Sequence, residues 1–366
     1  MNKHVILAAL TLMLSLSAAH AESDELRGAG STFAAGAYTS WGFIYAKEKG
    51  VSVAYQATGS GDGIKQIQAR SVDFGASDYA LSAEDLKKNG LVQIPTLVGG
   101  VVPVLNIPGI RAGQLRLTGT VLAAIYSGRI SSWNDPRIQA LNTDIKLPNL
   151  AIVRVVRAEA SGTTAGFTEY LSKVDPEWAS RTGSGLQVSW IRDVVQVKGN
   201  DGVAKTVHDE AGAIGYVSAN SLSKNHLAYP LLQNKSRNFV APTNDALLAA
   251  VKASSAVRDG EKLSYVDMAA PDAWPITDAT YILLDRTPKN PERATRMLRF
   301  IYWSFLRGDA MASETGYVPL PSIVQARAVG SLRQIHGAQD TPLDFMGSAA
   351  GRTAPVAASA GMLAAL

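Results

Sequence analysis

The sequence predicts an α/β protein with mainly parallel sheets, folded as two domains that face each other across a cleft. Three observations carry this. Short β-branched runs are followed, again and again, by a small-residue turn and a helix with one apolar face. That alternation builds parallel sheets. Several of the turns are rich in Gly, Ser and Thr, and in such sheets ligands sit at the carboxyl ends of strands. Two long apolar stretches, residues 97–108 and 272–285, read as strands buried on both faces and as the crossings between domains, so the first domain is discontinuous.

The most informative unit spans residues 153–171. Residues 152–156 are a β-branched run, and Arg157 stands at its end. The turn Ala160-Ser161-Gly162-Thr163-Thr164 follows, and then Phe167, Tyr170, Leu171 and Val174 recur at helical spacing. Ser161 sits where an N-cap belongs. The first N–H groups of a helix lack internal acceptors, and the positive end of the helix dipole adds to them, so this unit can hold a small oxyanion.

Other segments repeat the pattern. Gly28-Ala29-Gly30-Ser31-Thr32-Phe33 precedes a helix that carries Trp41, Ile44 and Tyr45 on one side and stops at Gly50. Val51, Val53 and Tyr55 alternate as a strand; Gly59-Ser60-Gly61-Asp62-Gly63 comes next, with Ser60 as the expected cap of a helix over 64–70. A strand over 72–76 ends at Ser77-Asp78, placing a carboxylate at the same type of strand edge. Further on, Gly199-Asn200-Asp201-Gly202 reads as a turn feeding a helix, and Gly212 to Tyr216 as a turn feeding a strand. A helix over 289–308 has Ala294, Met297, Leu298, Ile301 and Phe305 on one face, with Lys289, Arg293, Arg296 and Arg299 expected on its solvated side.

Composition bounds the function. The chain has 366 residues, 46% hydrophobic and 18% charged, which is ordinary for a globular protein long enough for two domains. Residues 1–21 read as a cleavable secretory signal, with Lys3 at its start, an apolar core over 5–14 and Ala19-His20-Ala21 at the cleavage site. The net charge of +4, or +3 once Lys3 is removed, is mild, and no Lys/Arg block marks a nucleic-acid surface. Cysteine is absent, which excludes disulfides, a thiol nucleophile, a zinc–thiolate cluster and lipid attachment after the signal. The expected location is the periplasm of a two-membrane bacterium, with free secretion as the other option. Residues 338–366 become rich in Ala, Gly and Ser and read as a mobile tail.

Nine ordered blocks then carry a family resemblance: GAGSTF at 28–33, YQATGSGDGIKQI at 55–67, VDFGASD at 72–78, LVGGVVPVLNIPG at 97–109, IYSGRISSWNDPRI at 125–138, RAEASGTT at 157–164, KGNDGVA at 198–204, GAIGYV at 212–217 and AWPIT at 273–277. The sequence resembles the periplasmic phosphate-binding proteins of the high-affinity phosphate ABC transporter. The resemblance implies a hinged, two-domain periplasmic binding fold of the type II kind. Domain I would comprise 22–102 and 276–337, and domain II 103–275. Carried over by motif, the phosphate ligands would be Thr32, Phe33, Ser60, Asp78, Arg157, Ser161, Gly162 and Thr163, with Glu159 supporting Arg157. The implied partners are inorganic phosphate and the membrane permease, for a monomer with no cofactor and no metal. Two departures stand out. Asp62 occupies a position where the family commonly has a small residue, and Glu159 stands where Asp is usual.

Proton counting gives Asp78 a selective role. Phosphate near neutral pH keeps at least one proton, which a carboxylate can accept; sulfate has none. Arg157 can add a planar two-pronged contact. Other oxyanions (arsenate, phosphonate, sulfate), a secreted phosphatase and an adhesive or signalling role are the alternatives. Against an enzyme, Ser161 lies outside a G-x-S-x-G elbow, and His208, His226 and His336 read as surface or turn residues.

Overall fold

The computed structural model describes residues 25–255 and 264–347. The expected signal, residues 1–21, lies outside the described residues, as do residues 348–366 of the expected tail.

The first half of the chain gives β1 (Leu26–Gly30), α1 (Ala35–Lys49), β2 (Val53–Gln56), α2 (Ser60–Gln68), β3 (Phe74–Ser77), α3 (Ala83–Lys88), β4 (Leu91–Leu105), β5 (Arg116–Leu117), α4 (Gly119–Tyr126), α5 (Pro136–Gln139), β6 (Val153–Arg157), α6 (Gly162–Val174) and α7 (Pro176–Arg181). Then come β7 (Val194–Val197), α8 (Gly199–Asp209), β8 (Ala213–Ser218), α9 (Ala219–Asn225), β9 (Leu231–Gln233), β10 (Phe239–Val240), α10 (Asn244–Ala253), β11 (Thr277–Asp285), α11 (Pro291–Arg307), α12 (Asp309–Glu314), β12 (Val318–Pro319) and α13 (Ser322–Leu332). The main sheet runs β2-β1-β3-β11-β4-β8-β6-β7, with β12 also on β4; β10, β9 and β5 form a small second sheet.

The outer strands are parallel in each half of the main sheet: β2, β1 and β3 on one side, and β8, β6 and β7 on the other. The antiparallel pairs of this sheet all involve β11 or β4: β11 pairs with β3 and β4, and β4 also pairs with β8 and β12. Residues Leu91 to Gly100 of β4 pair with β11, and Val101 to Leu105 pair with β8. One continuous strand therefore serves both halves, here called lobe I (β1–β3, β11 and the start of β4) and lobe II (β6–β8 and the end of β4). The return passage differs from the sequence expectation of a long crossing strand. β11 begins only at Thr277, opposite Gly100, so it lies wholly in lobe I. The chain recrosses just before it, where Ile276 O accepts from Val101 N at 2.8 Å and Trp274 Nε1 donates to Val101 O at 3.0 Å. Both crossings thus meet at Val101.

Each lobe is anchored by an aromatic cluster. In lobe I, Tyr38 and Trp41 of α1 pack near Tyr55 and Phe74, with Phe300 of α11 behind them. In lobe II, Phe167 of α6 stacks on Tyr216 of β8 at 4.3 Å between centroids, and Tyr126 meets both edge-on. Each such ring contributes about 2–3 kcal/mol by leaving water. Gly50 ends α1 at φ 70°, a left-handed cap that an L side chain would strain.

Two expectations are revised. Arg293 is not on a solvated face: it is half-buried and clamps Asp73, with Nε to Oδ1 at 2.5 Å and Nη2 to Oδ2 at 2.8 Å. Helical periodicity could not show this, because Asp73 is 220 residues away in sequence. Arg296 is also half-buried, while Lys289 and Arg299 are exposed. Near the C-terminus, Phe345 is buried and meets Tyr302 edge-on at 5.8 Å, so the described part of the expected tail packs on α11.

The Asp73 clamp generates a prediction. Asp73→Ala leaves Arg293 without its carboxylate and Arg27 N without its acceptor. With both partners mostly out of water, the expected loss is about 2–3 kcal/mol. Thermal melting should show a fall of several degrees; an unchanged midpoint would refute the role.

Candidate anion-binding site

The carboxyl ends of β1, β3 and β6 point toward one region between the lobes, and each delivers part of it. β6 ends on Arg157, whose guanidinium is fully buried. Its Nε donates to Glu159 Oε1 at 2.8 Å, and Nη2 bonds the same oxygen. Gly199 N donates to that oxygen too, at 3.0 Å. The longer Glu159 arm therefore still forms the pair, but through one oxygen; Oε2 is buried without a hydrogen-bond partner among the described residues. Burial pushes the Glu159 carboxyl up, yet the hydrogen bonds and charge of Arg157, with the Gly199 N–H, outweigh it and hold the group below the usual range. Arg157 reaches three further groups: Thr163 Oγ1 at 3.3 Å, Asn200 Oδ1 at 3.4 Å and, across the cleft, Thr32 Oγ1 at 3.0 Å.

The helix that follows β6 starts as the spacing predicts. Ser161 caps α6, its Oγ accepting from Thr164 N at 3.3 Å. Tyr216 OH holds Arg157 N at 3.3 Å and Thr164 Oγ1 at 2.8 Å, so the lobe II aromatic cluster fixes both the arginine and the helix start. Gly162 and Thr163 are first-turn residues whose N–H groups have no acceptor within the helix.

Lobe I supplies Asp78, 4% exposed, just past the end of β3. It neither caps α3, which is capped by Ser82, nor makes an Asx turn at the surface. Ser31 Oγ donates to its Oδ1 at 2.5 Å and Ser60 Oγ to its Oδ2 at 3.3 Å. Burial raises the Asp78 carboxyl; the Ser31 hydroxyl, the Arg157 charge and the Ser60 hydroxyl oppose that rise without cancelling it.

The positions expected in Thr32, Phe33 and Ser60 need adjustment. Ser60 does not cap α2: Gly59 does, at φ 103°, and Ser60 is the first helical residue with its hydroxyl turned to Asp78. The helix therefore begins four residues earlier than the Gly run suggested. Thr32 and Phe33 lie in a bend before α1, whose cap is Ala34, so they are not first-turn residues. The Phe33 ring is core, edge-on to Tyr317, and its carbonyl accepts from Tyr317 OH. Asp62, in the first turn of α2, accepts from Gln66 Nε2 on its own helix at 2.6 Å.

The two lobes touch at this site. Gly61 N donates to Ala160 O at 3.0 Å across the cleft. A Cβ on Gly162 would lie 2.5 Å from Asp78 Cβ and 2.6 Å from Ser60 Oγ, so only glycine lets the α6 start approach the carboxylate this closely. Thr32, Ser60, Asp78, Glu159, Arg157, Ser161, Gly162 and Thr163 are thus gathered in one place. Sequence reasoning missed three groups that hold them. Ser31 lies beside Thr32 in the same motif. Asn200 binds Thr32 Oγ1 at 3.1 Å but looked like part of a turn. Tyr216 looked like an ordinary strand aromatic.

Gly162→Ala is expected to keep the lobes apart, since the methyl has backbone-anchored Asp78 in its path. Small-angle scattering should then show a larger radius of gyration than the parent protein under saturating ligand; an equal radius would contradict the packing.

The comparisons with known proteins bear on the family and the fold. Residues 17–307 match the family model described as a PBP superfamily domain. The chain is 42% identical over 305 residues to the phosphate-binding protein PstS of Haemophilus influenzae, covering 83% of this chain and 91% of that one. It is also 42% identical over 327 residues to the phosphate-binding protein PstS of Pasteurella multocida, covering 88% and 94%. Its fold is similar to the solved structure of a high-affinity periplasmic phosphate-binding protein, PfluDING, with phosphate bound: TM-score 0.66, 21% identity, 84% of this chain and 93% of that one. With the fold, the cleft and these relatives together, the chain belongs to the PBP superfamily and, within it, to the family of phosphate-binding proteins PstS.

Proposed function

We propose that this protein captures inorganic phosphate between its lobes, in the periplasm and as a monomer, and delivers it to the permease of an ABC transporter. The single observation that carries the reading is a buried carboxylate, Asp78, set against the start of α6 and within the field of Arg157. The names of the relatives support it.

In this reading Thr32, Ser60, Ser161 and Thr163 offer hydroxyls, the backbone offers N–H groups at Phe33, Gly162 and Thr163, and Arg157 offers its guanidinium. Each hydrogen bond to the charged ion is worth about 1.5–3 kcal/mol, which offsets its dehydration. Asp78 accepts the proton that phosphate retains. Glu159 orients Arg157. The domains would divide as 22–102 with 276–337, and 103–275, and hinge where both crossings meet at Val101. Among the described residues no helix is long and apolar enough to cross a membrane.

Capture is favoured over hydrolysis by the surroundings of Ser161. Its Oγ serves as a cap acceptor, and His208 and His226 are exposed on α8 and after α9, while His336 faces Asp340 at 3.5 Å. A hydrolase would need a base within about 3 Å of the nucleophile.

Calorimetry tests the assignment. Asp78→Asn should weaken phosphate and improve sulfate relative to it, moving the selectivity by several hundredfold or more, since an acceptor matched to one hydroxyl discriminates by about 10⁴–10⁵. Unchanged selectivity would remove Asp78 from the role. Arg157→Lys should cost at least tenfold in affinity, because an ammonium cannot copy the planar fork.

The pH dependence has a fixed sign. The folded-state value of Asp78 lies above its unfolded value, so it becomes a neutral donor as pH falls toward that raised value. Sulfate should then bind better in acid, and phosphate-over-sulfate selectivity should be greatest at neutral pH and above. Competition titrations from pH 5 to 8 check this; selectivity that rises in acid would contradict it.

A further inference from the structure

We propose that Leu186 is an apolar latch which crosses the cleft and holds the lobes closed, a role that rests on the reading that closure retains the ligand. The segment between α7 and β7 belongs to lobe II and is pinned there at three points. Trp178 Nε1 donates to Gly183 O at 2.9 Å, Gly185 N donates to Thr168 Oγ1 at 3.2 Å, and Leu186 O accepts from Ser161 N at 2.8 Å. Its backbone is therefore fixed to α6 and α7. Its side chain goes elsewhere.

The Leu186 side chain packs on a cluster made of Ile64 and Ile67 of α2, Leu91 of β4 and Leu283 of β11, with Leu81 and Leu86 nearby. Every one of these residues is in lobe I. Leu91, one member of that cluster, begins β4 ten residues from Val101, so the cluster extends away from the hinge. Opening the lobes would take Leu186 off this cluster and expose the apolar surface on both sides. None of the cluster residues is a proposed ligand-binding residue.

Leu186 is also coupled to the site through one backbone link and one packing contact. Its carbonyl holds the N–H of Ser161, the cap of α6. The helix it packs on, α2, starts with Ser60, whose hydroxyl meets Asp78. One residue therefore ties the cap of the lobe II helix to the helix beneath the lobe I carboxylate. A ligand that draws Gly162 toward Asp78 seats Leu186 in the same movement, and the seated leucine slows reopening.

A contact made only in the closed state shifts the closed population and appears mainly in the release rate. Truncating a partly buried leucine should change that population by roughly three- to tenfold. The chain has no cysteine, so Lys49→Cys and Thr143→Cys, both exposed and on opposite lobes, can carry a dye pair for inter-lobe distances. In that background, Leu186→Ala should lengthen the ligand-free distance distribution and release phosphate roughly three- to tenfold faster. Its association rate should stay within about twofold, and Leu186→Met, which keeps the volume, should match the parent. An unchanged ligand-free distance distribution together with release within about twofold of the parent in Leu186→Ala would overturn the latch. So would a defect in Leu186→Met as large as in Leu186→Ala, since that would assign the effect to the backbone. If the parent protein fails to bind phosphate, the proposed function fails, and the ligand-free distances alone decide whether Leu186 holds the lobes.

Discussion

The carboxylate of Asp78 is almost wholly removed from water, and an ionised carboxyl in that position is costly unless donors surround it. Much of the local architecture meets that requirement. The parallel pairing of β1 with β3 sets Ser31 beside the end of β3, where its hydroxyl reaches Asp78 Oδ1. The early start of α2 turns Ser60 toward Oδ2. Gly162 omits a side chain so that the positive end of α6 can approach from the other lobe. Burial still leaves the carboxyl raised above its ordinary value.

The charge balance around this group explains how an anion can be specific rather than merely attracted. Arg157 is matched by Glu159, and Asp78 adds a further negative charge, so the three side chains sum to −1 when ionised. In the proposed site, net attraction would not be the source of affinity. Neutral hydroxyls and backbone N–H groups would supply it together with Arg157, which is held in one orientation by Glu159 Oε1. Preorganised dipoles discriminate by geometry and by protons, whereas a cluster of mobile lysines would accept most anions. The lobe II aromatic cluster belongs to this arrangement, since Tyr216 fixes the backbone of Arg157 and the side chain of Thr164.

Much of this was legible in the sequence, because the signals are local. Ser161 as a cap, Gly50 as a terminator and the β-branched runs each depend on neighbours within a few residues. What was not legible depends on distance in sequence. Arg293 looked like a solvated helix face until Asp73 was placed against it. Asn200 reads as a turn residue until Thr32, 168 positions away, comes into reach. The start of α2 was misjudged for a different reason: Gly-rich windows suppress helix propensity, and tertiary contacts of Ser60 and Gly61 override it. The parallel expectation held for the outer strands, but no periodicity reveals that β4 pairs antiparallel with β11 in one lobe and with β8 in the other.

The central claim is that a proton on the ligand, rather than its charge or size, satisfies Asp78. Monofluorophosphate separates these quantities: it is a tetrahedral dianion close in size to hydrogen phosphate, with fluorine in place of the hydroxyl. Displacement titration of bound phosphate by monofluorophosphate at neutral pH is therefore the most direct measurement. A competitor weaker than phosphate by about 10³-fold or more is the predicted result. Binding within tenfold of phosphate would contradict the account.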